Sequence, residues 1–198
     1  MEGTNPVNKK LAAVLSGGAV LALALSGCSS SGGNDEKLTA WATKVCDATK
    51  PQVKKISEAN AALEEGKSEA RPPKEVQKTY AQAFQDLSDG HKGVGAAFEK
   101  AGAPDVDGGA AKQKKAVKEL DDKAAAYADL KKQADELDTK DQTKFVVGLN
   151  GIAKQSKELS KIGDDAMNQL VEGDVGKAMS KVESCKKPGS ASASPSAG

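Results

Sequence analysis

The stretch PKEVQKTYAQAFQDLSDGHKGVGAAFEKA, residues 73–101, decides the fold of this chain. Side chains suited to a core recur in it every three or four residues, which places them on one face of an α-helix. Proline opens the stretch, and Gly102 followed by Pro104 ends it, as is common at helix ends. The face consists of Val76, Tyr80, Phe84, Leu87, His91, Val94, Phe98 and Ala101.

The same spacing recurs in three other segments, residues 35–65, 110–137 and 141–171. A shorter segment, capped by Asp174, carries apolar positions as far as Cys185. Runs of β-branched residues are absent and alanine and lysine abound, so no sheet is expected. Segments of about 28 residues with short linkers favour antiparallel neighbours. We therefore predict an all-α fold, an antiparallel four-helix bundle with a short C-terminal fifth helix.

Two capping boxes are predicted within this pattern. Thr49-Lys50-Pro51-Gln52 predicts a kink, or two collinear helices, at the proline. Thr139-Lys140-Asp141-Gln142 predicts the start of the fourth helix.

The N-terminal residues have the three parts of a secretory signal. Lys9 and Lys10 supply the charged part, residues 11–25 the uncharged apolar part, and Ser26 and Gly27 the small residues before a cut. The apolar part is about 15 residues long, whereas a helix that spans a bilayer needs roughly 20. A permanent transmembrane anchor is therefore the weaker interpretation.

Leu25-Ser26-Gly27-Cys28 resembles the lipobox of bacterial lipoprotein precursors. The resemblance implies that Cys28 receives a covalent diacylglyceryl lipid and becomes the first residue of a mature chain on the outer face of the cell membrane. Two acyl chains anchor a protein stably, whereas one anchors it only marginally. The alternative is an incidental thiol after an ordinary signal peptide.

The whole chain is similar to small secreted lipoproteins of actinobacteria. The features that carry this similarity are the lipobox, Trp41 with Val45-Cys46, and Ser184-Cys185. The similarity implies a helical body with a cysteine near each end, and it implies no particular activity.

The chain divides into four predicted regions. Residues 1–27 form the signal peptide and residues 28–35 a flexible Ser/Gly tether. Residues 36–185 form the helical domain, and residues 186–198 a disordered tail of serine, alanine and proline.

Cys46 and Cys185 are predicted to form a disulfide, because their number is even and an exported chain meets an oxidising compartment. The bridge closes a loop of about 140 residues, for which the chain-entropy model gives roughly 5 kcal/mol. The alternatives are two separate buried thiols or a metal site, for which neither cysteine has a neighbouring histidine or cysteine.

The charge balance argues against nucleic acid as a partner. Loss of Lys9, Lys10 and Glu2 with the signal peptide leaves 27 basic and 27 acidic residues. Arg71 is the sole arginine. A neutral chain of this kind lacks the basic surface that phosphates require, and it lacks the polybasic cluster that binds anionic lipid directly.

His91, the only histidine, is the candidate ligand-binding residue. A general base or a metal ligand would need partner residues that the sequence does not place, so a core or rim histidine is the simpler interpretation. Gly90, Gly93 and Gly95 surround it, but their spacing and helical context do not fit a phosphate loop. They indicate either a close approach of two helices or a flexible point.

Two acidic patterns are interpreted as structural. Residues 105–109, DVDGG, resemble a calcium loop, but the later ligand positions do not fit, so we predict a turn. The pairs Asp121-Asp122 and Asp164-Asp165 are expected on solvated faces with lysine partners three or four residues away. No metal site or catalytic set is predicted.

The predicted function is that of a non-enzymatic binding or interaction module at the cell surface, with no cofactor other than the covalent lipid. Its expected partner is another envelope protein or a cell-wall polymer. The alternative is a carrier of a small apolar ligand held between helices. An interaction module should expose an apolar patch, whereas a carrier should contain a cavity lined by the apolar faces, with an opening near residues 90–95.

Overall fold

The computed structural model describes residues 31–66, 71–161 and 165–186, and the all-α prediction is confirmed because none of these residues forms a strand. The signal peptide, Cys28 and residues 187–198 of the predicted tail lie outside the described residues. The helices are α1 (Ser31–Glu65), α2 (Pro73–Ala101), α3 (Gly109–Asp135), α4 (Gln142–Lys161), α5 (Asp165–Val171) and α6 (Asp174–Lys181), and a 3₁₀ turn follows at Glu183–Cys185.

The first three helices pack in chain order, and each later helix packs on α1 or α3. α2 packs on both α1 and α3, and α4 and α5 together take the place of the predicted fourth segment by packing on α3. The predicted fifth helix is α6, which packs on α1. Among the described residues, α4 packs on α3 and makes no extensive backbone contact with α1, so the bundle is open between α1 and α4. No helix in the described ranges is long and apolar enough to cross a membrane.

α1 corrects two predictions. It begins at Ser31, so residues 31–35 are helical rather than part of a flexible tether. Packing of buried Leu38 and Trp41 fixes the helix, and each further residue then adds a hydrogen bond. α1 also continues through Pro51 as one helix, so of the two predicted alternatives, a kink and two collinear helices, the second is wrong. The hydroxyl of Thr49 donates to the carbonyl of Cys46 at 3.3 Å, so it does not cap a new helix.

The core consists of two clusters of buried side chains, and Ile56 packs against both. The disulfide-end cluster joins the first half of α1, the second half of α2, the first half of α3, α5 and α6 around Leu38, Trp41, Val45, Phe98, Leu120, Leu170 and Val175. The groove-end cluster joins the opposite halves of α1, α2 and α3 with α4 around Leu63, Tyr80, Phe84, Tyr127, Phe145, Ile152 and Leu159.

The predicted disulfide is confirmed. Cys46 of α1 and Cys185 of the 3₁₀ turn are joined with an S–S distance of 2.04 Å across a sequence separation of 139 residues. Nearby, the indole N–H of Trp41 donates to the carbonyl of Gly102 at 2.6 Å, and the ring packs on Phe98. Trp41 is therefore a core residue that also holds the end of α2 against α1.

The turn between α3 and α4 is fixed by aspartates rather than by Thr139. The Oδ1 atom of Asp141 accepts the backbone N–H of Lys144 at 3.0 Å, so Asp141 caps α4. The Asp138 carboxylate accepts the backbone N–H of Lys140, and this bond lowers the pKa of Asp138 below its usual 3.8. The turn is therefore fully stabilised above about pH 4 and weakens as the pH falls further.

Glycines set the distance between α1 and α2. A Cβ at Gly90 would lie 2.5 Å from Cγ1 of Ile56, and a Cβ at Gly93 would lie 2.6 Å from the Gln52 side chain. Both glycines are inside a continuous helix, which supports the close-approach interpretation over a phosphate loop. Gly95 differs, because its Cβ would meet Leu120 and Asp121 at 3.7 Å, an ordinary contact.

We expect Gly90→Ala to lower the free energy of unfolding by about 1–2 kcal/mol, because the overlap with Ile56 outweighs the gain in helix propensity. Gly95→Ala is the matched control on the same helix and should raise that free energy by up to about 1 kcal/mol. Urea denaturation measures both. Equal stabilisation by the two substitutions would contradict the close approach.

Candidate functional site

A groove of about 560 Å³ lies where the bundle is open, between the second half of α1 and the second half of α4. This volume is within the range of sites for small molecules. Its lining residues come from four helices and are Asn60, Leu63, Glu64, Tyr80, Phe84, Tyr127, Ala153, Lys154, Ser156, Lys157 and Ser160.

The floor of the groove is a column of aromatic rings. Phe84 lies at the centre, with its ring centroid 6.0 Å from that of Tyr80 in an edge-on contact and 6.4 Å from that of Tyr127 in a stacked contact. Such pairs contribute about 0.5–1.5 kcal/mol each beyond the burial of their area. α2 and α3 therefore present a rigid apolar surface toward the gap between α1 and α4.

The walls of the groove are formed by small or polar side chains. On α4, Ala153, Ser156 and Ser160 face the groove, whereas Phe145, Ile152 and Leu159 are part of the core. On α1 the corresponding position is Asn60, which is exposed. Asn60 lies on the apolar face of α1 and Ser156 on the apolar face of α4, each at a position where the three-to-four-residue spacing calls for an apolar side chain. This interruption of two faces is the one trace of the groove in the sequence, and it does not show that the two positions lie opposite each other.

The rim of the groove carries charge of both signs, distributed unequally. Lys154 and Lys157 project from α4, and neither has a carboxylate within ion-pair distance among the described residues. Glu64 stands on α1 and is already engaged in an interaction. Two lysines on α4 therefore face one carboxylate on α1, so the rim of the groove has an excess of positive charge.

His91 does not line the groove, although it contacts a residue that does. Its imidazole stacks on the ring of Tyr127, with centroids 5.4 Å apart and planes 5° from parallel. The candidate ligand-binding residue is thus placed at the end of the aromatic column, half-buried between the two core clusters. A bound molecule would meet Tyr127 rather than the imidazole.

The remaining candidates from the sequence lie away from the groove. Residues 105–108 form the predicted turn, and the Lys118 ammonium pairs with the Asp122 carboxylate at 2.6 Å on an exposed helix face. Asp164 lies outside the described residues. Within the ranges that the structure describes, no three side chains of His, Cys, Asp or Glu are grouped so as to hold a metal ion.

A second surface groove, of about 690 Å³, lies on the outside of α1 and α2. Its base consists of the alanines Ala59, Ala62 and Ala83, and its sides carry both lysines and acidic residues. It is the furrow expected between two closely packed helices, and it has no aromatic floor. The groove between α1 and α4 is therefore the better candidate for a binding site.

No protein-family model, no curated protein and no solved structure matches this chain.

The role of His91 can be separated from that of the groove by two substitutions. We expect His91→Phe to preserve the stack on Tyr127 and to leave stability within about 0.5 kcal/mol, whereas His91→Ala should lower it by about 1 kcal/mol. Thermal denaturation followed by circular dichroism measures both. If a molecule bound to the wild-type protein is lost in a stable His91→Phe variant, the imidazole itself binds that molecule.

Proposed function

We propose that this protein is a lipoprotein on the outer face of the cell membrane, held there by a diacylglyceryl lipid on Cys28. The three-part signal and the lipobox at residues 25–28 support the anchor. The Cys46–Cys185 disulfide supports export, because such bonds persist in oxidising compartments.

Cys28→Ala tests the anchor. The variant should lose the lipid mass and leave the membrane fraction, since the acyl chains are its only proposed attachment. The matched control replaces Cys46 and Cys185 together with alanine, which removes the two other cysteines and should leave the protein in the membrane. Membrane fractionation followed by mass spectrometry provides the readout. An unlipidated wild-type protein that still begins at Met1 would contradict the proposal.

The helical domain is proposed to be a non-enzymatic binding module, and its binding surface is the groove between α1 and α4. The observation that carries this proposal is the aromatic floor beneath a gap that the side chains of α1 and α4 leave open. Within the described part of the chain, the groove lining includes no histidine or cysteine, the residue types most suited to act as a base or nucleophile at neutral pH. A pre-formed concave site with an apolar floor and few polar groups is suited to binding a small molecule.

A second candidate surface favours a protein partner. Val146 and Val147 lie side by side near the start of α4, 44% and 67% exposed. They are two of the three large apolar side chains that are exposed among the described residues. We propose this part of α4, about two turns before the residues that line the groove, as a docking surface for another envelope protein.

Two substitutions on α4 distinguish the groove from the exposed valine face. Ala153→Leu adds a large side chain to a half-buried groove position, and Asn150→Leu adds the same side chain at an exposed position close to Val146 and Val147. We expect a small molecule to copurify with the wild-type protein and with the Asn150→Leu variant but not with the Ala153→Leu variant. Native mass spectrometry of protein extracted from its own membranes measures the bound mass.

Circular dichroism melting of both variants verifies that α4 remains folded. If the Asn150→Leu variant alone loses its bound species, and that species is a polypeptide, the valine face is the binding surface. Wild-type protein that carries no additional mass would contradict a retained ligand in the groove.

A further inference from the structure

We infer that the groove binds a single-chain amphipathic acid, whose acyl chain lies along the aromatic floor and whose carboxylate or phosphate lies beside Lys154 and Lys157. The inference deepens the proposed function and rests on it, because it assumes that the groove between α1 and α4 is the binding surface. It concerns the chemical class of the ligand.

The shape of the groove favours a slim ligand. Its floor residues are exposed by 8% at Leu63, 3% at Tyr80, 0% at Phe84 and 6% at Tyr127. Phe84 is therefore fully covered, and Leu63, Tyr80 and Tyr127 present narrow strips to the groove rather than open faces. A sugar or a fused ring system stacks on an exposed aromatic face, and no such face is available among these floor residues. An extended methylene chain needs only a narrow apolar channel.

The volume and chemistry of the floor agree with this interpretation. A space of about 560 Å³ accommodates a molecule of small-ligand size. Each methylene moved from water to an apolar surface contributes about 0.8 kcal/mol. A chain on this floor would contact Leu63 and the two tyrosine rings along one side and the polar walls on its other sides.

The charge at the rim favours an acid at one end of the chain. Lys154 and Lys157 are three residues apart on a helix, which places their ammonium groups on the same side of α4. Within the described residues neither lysine forms an ion pair, and Glu64 across the groove is already engaged. Ser156 and Asn60 add neutral donors between the two walls, whereas the Ser160 hydroxyl already donates to the carbonyl of Lys157. An anionic group would be attracted here, whereas a cationic group would be repelled.

Native mass spectrometry of the full mature protein in a non-ionic detergent tests this inference with three probes that share a sixteen-carbon chain. These are palmitic acid, hexadecyl phosphate and the uncharged methyl palmitate. We expect both acids to bind about tenfold more tightly than the ester, an effect of the size that two partly exposed ion pairs produce. The relative affinities of palmitic acid and hexadecyl phosphate distinguish a free fatty acid from a phospholipid-derived ligand.

The Lys154→Gln/Lys157→Gln double variant should bind the acids about as weakly as the wild-type protein binds the ester. The control is Lys114→Gln/Lys115→Gln, which removes the same charge from two exposed positions of α3 outside the groove and should leave the affinities unchanged. Equal loss in both variants would mean that net charge, and not the rim, attracts the acids, and it would overturn the inference.

Two further outcomes separate this inference from the proposed function. Equal binding of acid and ester that is lost in the Ala153→Leu variant would overturn the acidic ligand and preserve the groove as the binding surface. Binding of none of the probes to a folded wild-type protein would overturn the acyl-chain ligand, while a different mass retained from native membranes would still support the groove.

Discussion

The packing of Phe84 between Tyr80 and Tyr127 is the interaction on which the open end of this bundle depends. Phe84 is fully buried. Its ring contacts Tyr80 on the same helix and Tyr127 on α3, within the cluster to which α1, α2, α3 and α4 all contribute. These rings occupy the centre of the groove-end cluster, while the side chains of α1 and α4 that face each other are small or polar. The rings therefore form the floor, and the gap between the walls remains.

The opposite end of the domain is closed by specific bonds between helices. The disulfide fixes the end of the helical domain to α1, and Trp41 holds the carbonyl of Gly102. The Glu119 carboxylate of α3 accepts the backbone N–H of Ala166 at 3.0 Å and so satisfies the start of α5. None of these bonds involves α4. The domain thus combines a cross-linked end with an end where α4 is held by side-chain packing and by the paired amides of Gln133 and Gln155.

Local patterns in the sequence were sufficient for the fold and for the disulfide, but not for the groove. The bounds of α2 agree with prediction because Pro73 and Gly102 mark them with strong backbone preferences, and Gly102 has a φ of +77°. The N-terminal cap of α4 was less predictable, since Thr139 and Asp141 are both residue types that begin helices. The Asp138 carboxylate holds the backbone N–H of Lys140 in a turn, so the helix begins after Asp141. Pro51 was expected to kink α1 or to divide it into two collinear helices, and packing at Val45 and Ile56 on either side keeps the helix undivided. The groove depends on Asn60 and Ser156 lying opposite each other, and periodicity within one segment carries no information on that distance.

The central claim is that molecules bind between α1 and α4, and photo-crosslinking in intact cells tests it most directly. A benzophenone amino acid would replace Ser160 at the exposed rim of the groove in one variant and Val147 on the exposed face of α4 in another. After illumination, mass spectrometry would identify what each position has captured. We expect position 160 to acquire the mass of a small acyl-chain molecule and position 147 to acquire none. Capture of a polypeptide at position 147, with nothing at position 160, would contradict the claim.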